Sequence, residues 1–210
     1  MTPRQEEIIK KAISLFNTNG VSNVKLVDIT IALGISLGNL TYYYKTKKDL
    51  IAAILDFMVA DRKNLLIEEE QLLNQGKWKE MIQSYLMFQL KYGFFYRDIL
   101  DLGLLNNDVK TLYEIEVNKV ISFNRNSIHF ALFKDYIKPE PREGLYDGIA
   151  ETIWSIYQAW FIKRAVFGED KVGLDEPFVA VTNLFYPYLT ENGLVVVNRL
   201  LQQKDILVEI

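Results

Sequence analysis

The apolar residues of this chain recur every three or four positions, which is the spacing of α-helices that bury one face. The first such segment is 4–19, where Ile9, Ala12, Ile13 and Phe16 fall on one side. No segment alternates apolar and polar residues with period two for long enough to indicate a sheet. The pattern therefore predicts an all-α fold. The longer helices that follow are predicted at 47–70, 78–92, 94–105, 108–136, 145–167, 176–188 and 193–203.

Two short helices are predicted between the first helix and the long one. The first of the pair, 26–33, ends at Gly34, because glycine adopts a left-handed conformation at little energetic cost. Ser36 then provides a hydroxyl that can cap the second short helix, 37–44. Helices this short are not stable alone, so we expect the apolar face of the first helix to support them. The sequence thus predicts a helix-turn-helix motif at about residues 25–44.

The second short helix carries small, polar and phenolic side chains on its outer face. Leu40 and Tyr44 are four residues apart and can both face inward. Gly38 would allow the backbone to approach a partner closely, and no acidic residue occurs between Asp28 and Asp49. Such a surface suits the phosphate-lined groove of DNA. The linker that follows adds three basic residues, Lys45, Lys47 and Lys48.

Three consecutive tyrosines end the motif, and they have two interpretations. They can be core aromatics, which we expect for Tyr44. Adjacent residues of a helix point about 100° apart, so Tyr42 and Tyr43 cannot both join Tyr44 in the core. At least one of them is predicted to be exposed, where its hydroxyl could reach a phosphate oxygen.

Residues 5–55 resemble the N-terminal domain of the TetR family of bacterial transcriptional regulators. The resemblance rests on IIKKAISLFNTNG (8–20), ALGIS (32–36) and GNL (38–40), and on the aromatic pair ahead of the lysine linker. It implies a homodimeric regulator, expected to be a repressor, that binds a palindromic operator in double-stranded DNA and responds to a small-molecule effector. Its two recognition helices would enter successive major grooves about 34 Å apart.

Within this resemblance the second short helix is the recognition helix. Leu37, Asn39 and Thr41 would meet base edges or thymine methyl groups. Phosphates would be held by the phenols of Tyr42 and Tyr43 and by the ammonium groups of Lys25 and Lys47. Lys47 would do so near the N-terminus of the long helix, where an anion is favoured. The residues predicted to contact DNA are Lys25, Ser36, Leu37, Gly38, Asn39, Thr41, Tyr42, Tyr43 and Lys47.

The formal net charge of −3 would argue against a nucleic-acid partner if the charge were evenly distributed. However, residues 1–60 hold seven Lys or Arg and five Asp or Glu, whereas residues 61–210 hold 17 and 22. This is the asymmetry of a DNA-binding head on an acidic body. We predict a DNA-binding domain at 1–60 and an effector-binding and dimerisation domain at 61–210.

Aromatic residues make up 13% of the chain and are concentrated after residue 78. They can be ordinary core residues, or they can line a cavity for an apolar or aromatic effector, because small-molecule pockets are mostly apolar with a few polar groups. Arg97 beside Asp98 indicates a structural ion pair rather than a receptor for a carboxylate. The residues predicted to line the effector cavity are Tyr85, Phe88, Tyr92, Phe95, Tyr96, Asn118, Trp154, Gln158 and Phe161.

The body resembles one subgroup of TetR-like C-terminal domains more weakly, through FFYRDILDL (94–102), a proline loop at 138–144 and a tryptophan-bearing helix. This resemblance implies a homodimer that forms through residues 145–167 and 176–190, and their apolar faces fit such a contact. The sequence has no uncharged apolar run of 18 residues and no signal region at its start. We therefore expect a cytoplasmic protein that makes no membrane contact.

Two other functions would require different residues. A sensor or carrier of hydrophobic small molecules, with a head that no longer binds DNA, is the alternative, and the three linker lysines speak against it. An enzyme would need a nucleophile with a base, a metal cluster or a phosphate loop. The chain has a single histidine, His129, and no cysteine. We therefore predict that the protein is not an enzyme and has no cofactor or metal site.

Overall fold

A computed structural model describes residues 1–105, 108–167, 171–204 and 207–209. Helices dominate this part of the chain, so the predicted all-α class is confirmed. The α-helices are α1 (Pro3–Asn19), α2 (Leu26–Leu33), α3 (Leu37–Tyr43), α4 (Lys47–Asn74), α5 (Trp78–Lys91), α6 (Gly93–Arg97), α7 (Ile99–Leu105), α8 (Val109–Phe133), α9 (Leu145–Phe167), α10 (Asp175–Phe185) and α11 (Glu191–Leu201).

Several helix ends differ from the predictions. The segment predicted as one helix, 94–105, is divided into α6 and α7 on either side of Asp98. The predicted helix 176–188 ends at Phe185, and a short 3-10 helix, Tyr186–Tyr188, continues it. Proline at position 187 explains the change, because proline has no backbone N–H to donate within an α-helix. The proline loop predicted ahead of α9 is confirmed.

The sequence pattern did not predict a short β-ribbon near the C-terminus. Strand β1 (Lys171–Gly173) pairs antiparallel with β2 (Leu207–Glu209). Three residues are too few for a period-two pattern to be recognised. Strand β1 lies in the predicted loop 168–175, of which residues 168–170 are outside the described residues. The ribbon does not change the fold class.

The chain forms two compact units. The first unit consists of residues 1–67 and 88–112, and the second of residues 68–87 and 113–210. Residues 88–112 thus group with the N-terminal helices. The predicted DNA-binding domain, 1–60, does not include them. The predicted domain boundary itself stays a prediction.

The core of the first unit is built around α1, as the apolar pattern predicted. Ile9, Ala12, Ile13 and Phe16 are all buried. Helix α1 packs against α2 and α6, and the ring centroids of Phe16 and Phe94 lie 5.7 Å apart. Burying one such large side chain contributes about 1.5–3 kcal/mol. Helix α1 therefore supplies the apolar support that α2 and α3 need.

Within the described residues, no single helix is long and apolar enough to span a membrane. Helices α2 and α3 reach the required length and composition only when taken together as a sharply bent pair. No group of three or more His, Cys, Asp or Glu side chains in the same part of the chain is arranged to hold a metal ion.

Candidate DNA interface

The turn between α2 and α3 has a defined geometry. Gly34 is left-handed, with φ 66° and ψ 33°, and its N–H donates to carbonyl oxygens of α2. The N–H of Ile35 donates to the carbonyl of Thr30 over 3.1 Å. Ser36 Oγ accepts from the N–H of Asn39 at 3.1 Å, so both the glycine stop and the serine cap are confirmed. Helix α3 then lies at 113° to α2, within the range of DNA-binding helix-turn-helix pairs.

Carboxylates fix the starts of α2 and α4. Asp28 Oδ2 accepts from the backbone N–H of Lys25 at 2.7 Å. At the start of α4, the N–H of Thr46 donates to Asp49 Oδ2 at 2.9 Å, and the N–H of Asp49 donates to Thr46 Oγ1 at 3.1 Å. This reciprocal arrangement is a capping box. Asp28 and Asp49, the acidic residues at either end of the basic segment, therefore serve as helix caps.

The outer face of α3 is open to solvent. Leu40 is fully buried, whereas 82% of Tyr42 is exposed. Thr41 donates its hydroxyl hydrogen to the carbonyl of Leu37 at 3.0 Å, which leaves its methyl group and oxygen lone pairs for a partner. Of the residues predicted to contact DNA, Lys25, Ser36, Leu37, Gly38, Asn39 and Tyr42 are exposed, and Thr41, Tyr43 and Lys47 are half-buried.

The three tyrosines divide as predicted between core and surface. Tyr44 is buried, and burial raises the pKa of its hydroxyl. The rings of Tyr42 and Tyr43 meet edge to face, with centroids 5.1 Å apart and planes at 86°. Such pairs contribute about 0.5–1.5 kcal/mol beyond burial. The pair therefore holds the exposed phenol of Tyr42 against α3 without covering it.

Lys47 has an internal partner that the sequence did not indicate. Its ammonium donates to the carbonyl oxygen of Val21 and lies 5.8 Å from the ring centroid of Phe16. Burial lowers the pKa of Lys47. An ammonium carries three hydrogens, so two remain for a phosphate, and the phosphate role of Lys47 stays a prediction. Lys45 and Lys48 of the same linker are exposed.

The ion pair of Arg97 and Asp98 holds the end of α1 and the turn that follows it. Arg97 Nη1 donates to the carbonyl of Asn17 at 2.7 Å, and Nη2 donates to that of Phe16 at 2.8 Å. Asp98 accepts from Arg97 Nε at 2.7 Å and from the N–H of Val21 at 2.8 Å. Sequence reasoning identified a structural pair but missed its backbone partners, because they are far away along the chain.

The environment keeps this pair charged. Burial alone would raise the pKa of the Asp98 carboxyl, but hydrogen bonds from Arg97 and Val21 and the guanidinium charge outweigh it, so the pKa lies below its ordinary value. The hydrogen bond to Asp98 in turn raises the pKa of Arg97. The pair is a fixed part of the first unit at neutral pH.

The nine residues predicted to line an effector cavity are divided between the two units. In the first unit, Phe88, Tyr92, Phe95 and Tyr96 are buried. In the second unit, Tyr85 and Phe161 are buried, Trp154 and Gln158 are half-buried, and Asn118 is exposed. Their role in binding an effector stays a prediction.

The second unit contains a cavity of about 120 Å³ that other residues line. Its walls come from α5, α8, α9, α10 and α11. Tyr157 is one lining residue, and its ring centroid lies 5.3 Å from that of Tyr85, so one of the nine predicted residues touches the wall. None of the nine lines the cavity itself. Apolar character alone does not distinguish a lining residue from a core residue, so the sequence did not indicate this site.

A helix-turn-helix pair with specified caps, an open outer face and an adjacent basic linker defines a class of protein, the helix-turn-helix DNA-binding regulators. Residues 8–54 match the family model described as bacterial regulatory proteins, tetR family. A comparison with curated proteins finds no match.

Solved structures with the same fold agree with this class. The chain is similar to a TetR-family transcriptional regulator from Marinobacter aquaeolei VT8, with a TM-score of 0.71, 23% identity, and coverage of 95% of this chain and 99% of that one. It is also similar to regulatory protein TetR from Rhodobacter sphaeroides, with a TM-score of 0.65, 14% identity and coverage of 88% and 98%. A third similar structure is a gamma-butyrolactone receptor described as ArpA-like, with a TM-score of 0.64, 15% identity and coverage of 96% and 100%. Residues 8–54 therefore match the N-terminal DNA-binding domain of the TetR family, and the chain has the fold of the TetR-family regulators to which it is similar.

Proposed function

We propose that the protein is a homodimeric, ligand-responsive repressor that binds a palindromic operator through α3. The observation that carries this proposal is the exposed face of α3, which is fixed by Gly34 and Ser36 and lacks acidic residues. In the proposed complex, Leu37, Asn39 and Thr41 meet base edges or thymine methyl groups. Gly38 brings the backbone of α3 close to the DNA. The phosphate contacts come from Lys25, Ser36, Tyr42, Tyr43 and Lys47.

An uncharged stripe on α9 supports the proposed dimer. Thr152, Ser155, Ala159 and Ile162 are exposed and recur every three or four positions, so they share one face. The two hydroxyls donate to carbonyls within α9, at 2.8 and 3.2 Å. Helix α10 packs on α9 and exposes Val179. Two copies related by a two-fold axis can bury such faces against each other, as the proposed contact through 145–167 and 176–190 requires.

The proposed ligand response follows from linkage. A small molecule that binds one spacing of the two heads better than another shifts the protein toward that spacing and changes its affinity for operator DNA. The gamma-butyrolactone receptor with the same fold is, by its description, a receptor for a small molecule. That precedent supports the kind of partner proposed and leaves the identity of the effector to experiment.

Footprinting on the DNA upstream of the protein's own gene tests the proposal. We expect the wild-type protein to protect a two-fold symmetric site, with centres of protection about 34 Å apart. Asn39→Ala should cost roughly 1–3 kcal/mol on that site, because a base contact is lost, and should leave binding to random DNA unchanged. Absence of a symmetric footprint would refute the operator, and equal losses on random DNA would refute base reading by Asn39.

Lys47→Ala tests the proposed phosphate contact. The slope of log K against log salt should become shallower by about 0.9 per head, on operator and random DNA alike. The midpoint of thermal unfolding should also fall, because the carbonyl of Val21 loses the ammonium donor and keeps only the long hydrogen bond from the N–H of Val24, at 3.4 Å. Lys10→Ala is the control, since Lys10 is exposed on α1 and pairs with Glu6 at 2.7 Å. An unchanged slope with a lower midpoint would assign Lys47 to the fold of the head alone.

A further inference from the structure

We infer that the cavity of the second unit is a binding site for a small, uncharged, apolar molecule about the size of one aromatic ring. The cavity has a volume of about 120 Å³. For comparison, an apolar cavity of about 150 Å³ stays free of water and accepts benzene. The volume therefore sets the size of the apolar group that the cavity can bury.

The chemistry of the wall excludes charged ligands. Among the residues that the structure describes, no charged side chain lines the cavity. Asn124 Nδ2 donates to the carbonyl of Ala150 at 3.0 Å, and Ser127 Oγ donates to that of Phe123 at 3.0 Å, so these polar groups already have partners. Burial raises the pKa of the Tyr157 hydroxyl, which stays neutral. An ionised ligand would lose its hydration without gaining an opposite charge.

Helix α11 forms one wall, and its N-terminal end is fixed by a close backbone contact. The N–H of Thr190 donates to the carbonyl of Tyr136 at 3.1 Å. A Cβ atom on Gly193 would lie 1.9 Å from the same carbonyl oxygen, so this approach requires glycine. Val197 of α11 faces the cavity one turn further along. The position of this wall is thus set by the fold of the unit.

A buried lysine holds the chain just after α11. Lys79 is buried in α5, and its ammonium donates to the carbonyl of Gln203 at 2.9 Å and to Asp175 Oδ2 at 2.5 Å. The same group therefore connects α5, the start of α10 and the end of α11. Both ends of α11 are therefore held by hydrogen bonds to other segments, so this wall of the cavity has a fixed position.

A matched pair of ligands tests the inferred chemistry on the full-length protein. Toluene and benzoate have similar shapes, but only benzoate is charged at neutral pH. We expect toluene to raise the midpoint of thermal unfolding and to give a saturable signal in calorimetry, and benzoate to bind at least about a hundredfold more weakly. Comparable binding of the two, or no binding of toluene, would overturn the inference.

Neighbouring valines of α11 locate the site. Val197 lines the cavity, whereas 71% of Val195 is exposed. Val197→Phe should fill the cavity and weaken toluene binding at least about tenfold, and Val195→Phe should change it less than about twofold. Val197→Ala, which removes volume and so avoids overpacking, should strengthen binding of the larger naphthalene relative to toluene, and Val195→Ala should not. If all four variants bind toluene with the wild-type affinity, the ligand binds at another site.

The role of this ligand class as effector rests on the proposed regulatory function, and the two can fail separately. Operator affinity is measured with and without toluene by fluorescence anisotropy. We expect toluene to change it by at least about fivefold in the wild type and not in Val197→Phe. Bound toluene without any change in operator affinity would overturn the effector role of this cavity. If the wild-type protein does not bind operator DNA even in the absence of toluene, the proposed function is overturned instead.

Discussion

Gly38→Glu is expected to abolish operator binding while the protein becomes slightly more stable. A side chain at position 38 would meet only Ser36 Oγ, 3.9 Å from its Cβ, so the protein itself has room for it. Replacing glycine inside a helix recovers roughly 0.5–1 kcal/mol of helix stability. On DNA, however, the new carboxylate would face phosphates at a close approach, and like charges placed together cost several kcal/mol.

The expected loss in operator affinity is at least about a hundredfold, or about 2.8 kcal/mol, measured by fluorescence anisotropy at fixed salt. Gly103→Glu is the matched control, because Gly103 is also a helical glycine with no atom within 4 Å of its Cβ position. It should gain similar stability and retain DNA binding. Gly38→Glu protein that binds operator normally would contradict the placement of α3 against DNA. Gly38→Glu protein that unfolds earlier than the wild type would contradict the open space around Gly38.

Local rules were sufficient to predict the motif from the sequence. Gly34 and Ser36 act through their own backbone conformation and through partners a few residues away, so the sequence contains all the information that their roles require. By contrast, the contact of Lys47 with the carbonyl of Val21 and the close approach of Gly193 to the carbonyl of Tyr136 join segments that are distant along the chain, and only the fold brings them together. Aromatic character was the least informative signal, because the large Phe95 is buried and does not line the cavity of the second unit, whereas the smaller Val197 lines it.

Arg97→Ala is expected to destabilise the first unit by about 2–3 kcal/mol. The substitution removes the side-chain donor of the Asn17 carbonyl and one of the two donors of the Phe16 carbonyl, which keeps the N–H of Gly20 at 3.0 Å. It also leaves the mostly buried carboxylate of Asp98 without its cation. Removing one partner of a buried pair costs up to 3–5 kcal/mol, and we expect less here because Arg97 is partly exposed. Urea unfolding monitored by circular dichroism measures the change in the free energy of unfolding.

The surface pair of Arg4 and Glu7 is the matched control. It has similar chemistry, with 2.6 Å between Arg4 Nη1 and Glu7 Oε2, but both side chains are well exposed. Arg4→Ala should therefore change the free energy of unfolding by less than about 0.5 kcal/mol, as is usual for exposed pairs. An equal effect of Arg4→Ala and Arg97→Ala would show that the backbone contacts of Arg97 do not hold the head together.

The pH dependence of the Asp98→Asn variant separates charge from shape at the same position. Because the pKa of Asp98 is below its ordinary value in the folded state, its ionised form contributes stability above about pH 4, and this contribution is lost as the pH falls through the folded-state pKa. Asp98→Asn should thus be less stable than the wild type at pH 7, and the difference should shrink below about pH 4. The same carboxylate accepts from Val21 in the turn that precedes α2, so operator affinity of the variant should fall together with stability. A stability difference that stays constant from pH 7 to pH 3 would show that the charge of Asp98 contributes nothing to holding this turn.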